Sequence, residues 1–170
     1  MKVENYKFEI KNLKYLESLS EETNCFSAVL YVNGKKVADC GNSGHGGLTD
    51  VNFFPQYWEM KKEIEDFLTT QPKIKYENFE FDRTIEFIVD ELVEKLLNAK
   101  VCQKLLKKTD KYLIFRNLQG TYYQIGWKKY RVDELFKKQS GRDMLQKTIA
   151  NHVAKGNILI NKNIPSELLP

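Results

Sequence analysis

The eight residues Cys40-Gly41-Asn42-Ser43-Gly44-His45-Gly46-Gly47 concentrate the groups best suited to chemistry in this chain. Four glycines leave the backbone amides uncovered, a composition that serves either a tight turn or a cradle for an anion. In the second role, Asn42, Ser43 and His45 would join those amides around a phosphate or carboxylate. The loop lacks the Gly-Lys-Ser/Thr ending of a nucleoside-triphosphate loop. Seven residues separate Gly47 from Pro55, so it does not open a helix as a dinucleotide fingerprint does.

A second group combines rings and cations: Tyr112, Arg116, Tyr122, Tyr123, Trp127, Lys128, Lys129, Tyr130 and Arg131. Bases stack on such rings while lysine and arginine meet phosphates. The bland alternative is that half the rings face a core and the charges guard an edge strand. Arg116, Tyr123, Trp127, Lys128, Lys129 and Arg131 are the candidate ligand residues here. The spacing matches no aromatic-sheet RNA-recognition signature.

Catalysis and metal binding have thinner support. Cys40 and His45 could form a thiol–imidazole pair only if the fold brought them together. Zinc would need Cys25, Cys40, His45 and a fourth ligand such as Cys102, without any paired-ligand spacing. No nucleophile elbow or His-Glu-x-x-His motif occurs. No catalytic residue, metal or cofactor is therefore expected. His152 lies on an apolar helical stripe and is expected to be a core or interface histidine.

The elements that must position these groups read as α+β. Alternating Tyr6, Phe8 and Ile10, then Leu13 and Tyr15, predict a strand with a bulge near Lys11-Asn12. Residues 25–32 and 35–40 flank Asn33-Gly34, a strong hairpin signal because both turn positions need positive φ. A two-residue turn sets Val32 opposite Lys35, Leu30 opposite Val37 and Ala28 opposite Asp39. Phe26, Ala28, Leu30, Val32 and Val37 then form the core face, with Cys25, Ala38 and Cys40 on the other. Cys25 and Cys40 would be diagonal neighbours, too far apart for an unstrained disulfide.

The glycine loop is expected to run on to a helix opened by Pro55 and ended by Gln71-Pro72. A short strand is expected over 76–81, then a long helix capped by Asp82. A second hairpin, 112–118 with 121–127, would turn at Gln119-Gly120 and set Arg116 opposite Tyr123, Ile114 opposite Ile125 and Tyr112 opposite Trp127. A short helix over 132–138 follows. Ser140 is expected to cap a helix bearing Leu145, Ile149 and His152, with Gly156 ending it. Residues 158–160 could add a strand. The whole is expected to be one domain over 1–165, an antiparallel sheet packed on helices, with 109–162 as a candidate subdomain and a disordered tail beyond 165.

Composition agrees with a globular chain: 42% of its 170 residues are hydrophobic and 29% charged. Its three cysteines are too few and too odd for a disulfide framework. There is no apolar run of membrane-spanning length and no apolar signal core at the start, so a cytoplasmic protein without a membrane partner is expected. Charge is segregated. Residues 1–99 carry 12 basic and 18 acidic side chains, whereas 100–162 carry 15 basic and 4 acidic. Either the second half meets an anionic partner or the halves neutralise each other, within a chain or a dimer.

The run Ser18-Leu19-Ser20-Glu21-Glu22-Thr23, then residues 26–37, then Gly41-Asn42-Ser43-Gly44-His45-Gly46-Gly47, resembles the opening of an uncharacterised family of small bacterial and bacteriophage accessory proteins. The resemblance covers about the first 50 residues. It implies a phage or mobile-element setting and carries over no catalytic residue. Small proteins of that setting interfere with host machinery or sequester ligands. The combined expectation is a non-enzymatic binding protein for an anionic ligand, a nucleotide or nucleic acid. Its alternative is an inhibitor or adaptor docking a basic aromatic face on an acidic host protein. A homo-oligomer is left open.

Overall fold

The structure, a computed structural model, describes residues 2–3, 6–76 and 79–170. It is an α+β fold, as the sequence predicts, but it divides into two compact units, 1–95 and 96–170, where the sequence suggests one domain with a subdomain over 109–162. The boundary falls inside a continuous helix, so no linker composition marks it. Among the described residues no helix is long and apolar enough to cross a membrane.

The first unit is built on an antiparallel meander: β1 (Lys2–Val3), β2 (Tyr6–Tyr15), β3 (Phe26–Val32), β4 (Lys35–Asn42) and β5 (Asp50–Phe53), adjacent in chain order. The expected bulge in β2 is present. Asn12 adopts φ 55°, and the pairing with β3 shifts between Lys11 and Lys14. Asn33 and Gly34 both take positive φ, 51° and 81°, as the hairpin requires.

The register holds only as far as Tyr31 opposite Lys36. Val37 is then an extra residue, so Leu30 faces Ala38 and Ala28 faces Cys40, not Val37 and Asp39. The bulge has a use, since the Val37 carbonyl accepts the Phe54 amide at 2.9 Å where β5 ends. It also moves Ala38 and Cys40 to the core side and leaves Asp39 exposed, reversing the faces expected from Ala38 onward, while Val37 is buried as expected.

Strand β5 is the larger departure: the glycine segment does not run straight to the helix but joins β4 to β5. Pro55 begins a short 3-10 turn, then α1 (Trp58–Thr69) buries Ile64 and Leu68. The Phe67 ring of α1 meets Tyr6 of β2 edge-on at 5.6 Å. The single strand expected over 76–81 is instead a two-stranded ribbon, β6 (Ile74–Tyr76) with β7 (Phe79–Phe81). Helix α2 (Ile85–Leu106) is capped by Thr84, whose hydroxyl accepts the Phe87 amide at 3.2 Å. Asp82 pairs with Lys73 instead.

The second unit contains a three-stranded sheet, β8 (Leu113–Arg116) between β10 (Ile158–Leu159) and β9 (Tyr122–Ile125), with α3 (Val132–Leu135) and α4 (Gln139–Val153). Its core joins Leu113, Phe115, Val132, Leu135, Leu145 and Ile149 to Ile164 and Leu168. Leu168 lies in a short 3-10 turn, and Arg142 binds Glu167 at 2.8 Å, so the tail expected to be disordered closes this core. Gly156, at φ 81°, ends α4 as expected.

Helix α4 starts one residue before Ser140, at Gln139, and has no side-chain cap. Gly141 lies against α3: a Cβ there would meet the Leu135 carbonyl oxygen at 2.3 Å. Gly141→Ala is therefore expected to destabilise the fold by about 1–3 kcal/mol in urea unfolding. Ser140→Ala should stay within about 0.5 kcal/mol, whereas a capping serine would cost about 1 kcal/mol.

Candidate functional site

The glycine segment is a knot of internal hydrogen bonds. Asn42 Oδ1 accepts the Gly44 amide at 2.8 Å and the Thr23 hydroxyl at 2.7 Å. Asn42 Nδ2 donates to the Gly47 carbonyl at 2.9 Å and to Thr49 Oγ1 at 3.2 Å. The Gly46 amide donates to Thr23 Oγ1 at 3.4 Å. The hub of the turn is a carbonyl, not an amide. Gly44 O accepts from Glu21 and Glu22 at 3.0 Å and from Thr23 at 3.3 Å. Asn42 and the Gly44 and Gly46 amides are thus engaged without any ligand.

The surroundings are acidic. Exposed His45 points Nδ1 at Glu21 Oε2, 3.1 Å away, and Ser43 is exposed beside it. A cleft of about 370 Å³ beside the loop is lined by Thr23, Asn42, Leu48, Asp90 and Glu94 among others. Buried Thr49 donates to Asp90 Oδ1 at 2.5 Å. Withdrawal from water holds the Asp90 carboxyl above the usual range. The Thr49 hydrogen bond opposes that shift and Glu86 adds to it. These carboxylates disfavour an anion and leave the loop best explained as structure.

Cys40 lies buried on the core side of β4, and among the described residues no hydrogen bond joins it to His45. Burial first, then Asp39 and Asp90, pushes its thiol up to about 12. The reactive thiolate is therefore suppressed at neutral pH. In the native protein at pH 8, iodoacetamide is expected to modify half-buried Cys102 and to spare Cys25 and Cys40 until denaturant is added. Mass spectrometry of the modified peptides checks this. Among the described residues no group of three or more His, Cys, Asp or Glu side chains could hold a metal ion.

The second hairpin has a three-residue loop, not the two-residue turn expected from Gln119-Gly120. Gly120 takes φ 85° and donates to the Asn117 carbonyl at 3.0 Å, while the Asn117 amide donates to Thr121 at 2.9 Å. The register moves by one: Phe115, not Arg116, faces Tyr123, and Ile114 faces Gln124. That change turns Tyr123 inward. Its ring stacks on Phe115 at 5.7 Å, and its hydroxyl meets His152 Nδ1 at 2.9 Å. Tyr123 is thus a packing residue, and His152 is the satisfied histidine the sequence predicts.

The remaining candidates separate along the hairpin. Arg116 is exposed at the turn end. Arg131, at the other end, is held by Asp133 at 3.0 Å and by Asp110, so its guanidinium is already paired. Trp127 packs partly against the core and also lines a cleft of about 430 Å³ with Lys111, Tyr112, Lys128, Lys129, Tyr130, Arg131 and Glu134. Tyr112 lies across Gly126, where a Cβ would meet its ring at 2.4 Å. A second cleft of about 420 Å³ is lined by Tyr130, Glu134, Lys137, Lys138 and Ser140, among others. The sequence places Tyr130 in the aromatic run without singling it out, and it does not point to Lys111, Lys137 or Lys138. Their shared signal is the lysine density of this half.

The charge segregation follows the structural division. The unit over 96–170 holds 15 basic and 5 acidic side chains, and the other unit 12 and 18. All five acids of the basic unit have partners within it. Asp110 and Asp133 bind Arg131, and Glu167 binds Arg142. Glu134 accepts from the Arg131 backbone amide at 3.0 Å, and Asp143 from the Gln139 side-chain Nε2 at 2.8 Å. The unit's twelve lysines are all exposed, and none makes an ion pair among the described residues. Lys100 and Lys104 lie one turn apart in α2, and Lys107, Lys108 and Lys111 follow at its end. Comparison of the chain with protein-family models, curated proteins and solved structures finds no match.

Proposed function

We propose that this chain binds nucleic acid, without covalent chemistry, through the lysine-rich surface of its second unit. The observation that carries the reading is that all of this unit's acids are engaged internally, while its twelve lysines stand exposed without ion-pair partners among the described residues. A predominantly cationic surface attracts a polyanion and gains affinity as counterions are released.

Extent favours a polymer over a single nucleotide. Arg116 and Lys128 lie toward opposite ends of the hairpin, up to roughly 20 Å apart at the rise of an extended chain. The phage or mobile-element setting suggested by the first 50 residues would suit a protein that occupies host or invading nucleic acid. Anisotropy titration of a fluorescent thymidine oligonucleotide at low salt tests the reading, with saturable binding at micromolar or lower protein concentration as the expected result. Absent binding would overturn it. If polyglutamate alone bound, the surface would belong to an acidic protein partner.

A further inference from the structure

We infer that Tyr130 is a stacking platform for a single-stranded nucleic acid, with one flanking nucleotide seated in each of two lysine-lined clefts. This inference rests on the nucleic-acid reading above and names its substrate form and central residue. Three observations carry it. Tyr130 is 54% exposed, whereas Tyr123 is half-buried and packed against the core. Tyr130 lines both clefts, of about 430 and 420 Å³, so the residue borders open space in each. Each volume is within the range of sites that accept small organic groups.

The cations are divided between the two sides. Lys128 and Lys129 line the first cleft, and Lys137 and Lys138 the second. The one carboxylate shared by both, Glu134, accepts the Arg131 backbone amide at 3.0 Å. A strand crossing Tyr130 would place an unstacked base on the ring and its phosphates toward lysines on both sides. A duplex keeps its bases paired and offers the ring none of their faces. It should bind only through the lysines.

Wild type, Tyr130→Ala and Tyr130→Phe would be titrated with a 12-nucleotide thymidine strand and with a duplex of equal length. Thermal unfolding would confirm that each variant folds. Tyr130→Ala is expected to lose about tenfold or more in affinity for the strand. It should keep duplex affinity within about twofold, and Tyr130→Phe should restore strand binding. Equal loss for strand and duplex, or no loss for either, would overturn the stacking role and leave the lysine surface standing. Wild type that bound neither probe would overturn both readings.

Discussion

A chain carrying Lys128→Glu, Lys129→Glu and Lys138→Glu is expected to bind a thymidine oligonucleotide on the order of 100-fold more weakly than wild type at about 50 mM salt. On the proposed surface around Tyr130, each reversal would remove one phosphate contact and add one repulsion. The same charge change made as Lys14→Glu, Lys62→Glu and Lys95→Glu lies in the acidic unit, and those lysines are exposed too. That control should stay within about threefold, because none of the three lines either cleft beside Tyr130. Anisotropy at two salt concentrations checks both chains, and the gap between them should narrow as salt rises. Equal weakening in the two would mean that total charge, not this surface, governs binding.

Gly44→Ala has the largest expected effect on stability, about 3–5 kcal/mol. The residue sits at φ +91°, and a Cβ there would lie 2.0 Å from the Leu19 carbonyl oxygen and 2.9 Å from Cys25 Cβ. The first obstacle is backbone and cannot turn aside. That cost is a large part of the 5–15 kcal/mol that holds a typical domain together. Gly47→Ala is the matched control, since nothing lies within 4 Å of its Cβ position, and it should stay within about 0.5 kcal/mol. Guanidinium unfolding of the two variants checks the pair. Equal stability would contradict the knot. If the loop were instead an anion cradle, Gly44→Ala would cost ligand affinity and spare folding.

What was legible in the sequence depended on how local each signal is. Asn33-Gly34 announces its turn because few other pairs accept two positive φ values, and Lys11-Asn12 marks a bulge through a visible change of parity. The bulge at Val37 has no such mark. Val37 and Ala38 are both apolar, so an extra residue between the faces leaves the alternation looking intact. Strand β5 offers only Val51 and Phe53 as apolar alternation, too little to separate from loop.

The candidate site suffered more, because a register error of one residue exchanges faces. A three-residue loop closed by Gly120, in place of Gln119-Gly120 alone, moves Tyr123 from Arg116 to Phe115 and so turns its ring against the core. Composition reveals the uncovered glycine amides. It cannot reveal that Asn42 and Thr23 engage two of them from 2 and 23 residues away. The segregated charge was fully legible, and it locates the basic unit to within a few residues of the structural boundary. Which acids in that unit are already paired required the fold.

The most direct test of the central claim is the salt dependence of oligonucleotide binding by the intact wild-type chain. On a log–log plot, each phosphate contact with a single strand contributes a slope of about −0.7. At least three lysine–phosphate contacts around Tyr130 predict a slope near −2 or steeper. Binding that persisted with a slope near zero would show that the exposed lysines do not hold the ligand, and it would contradict the account.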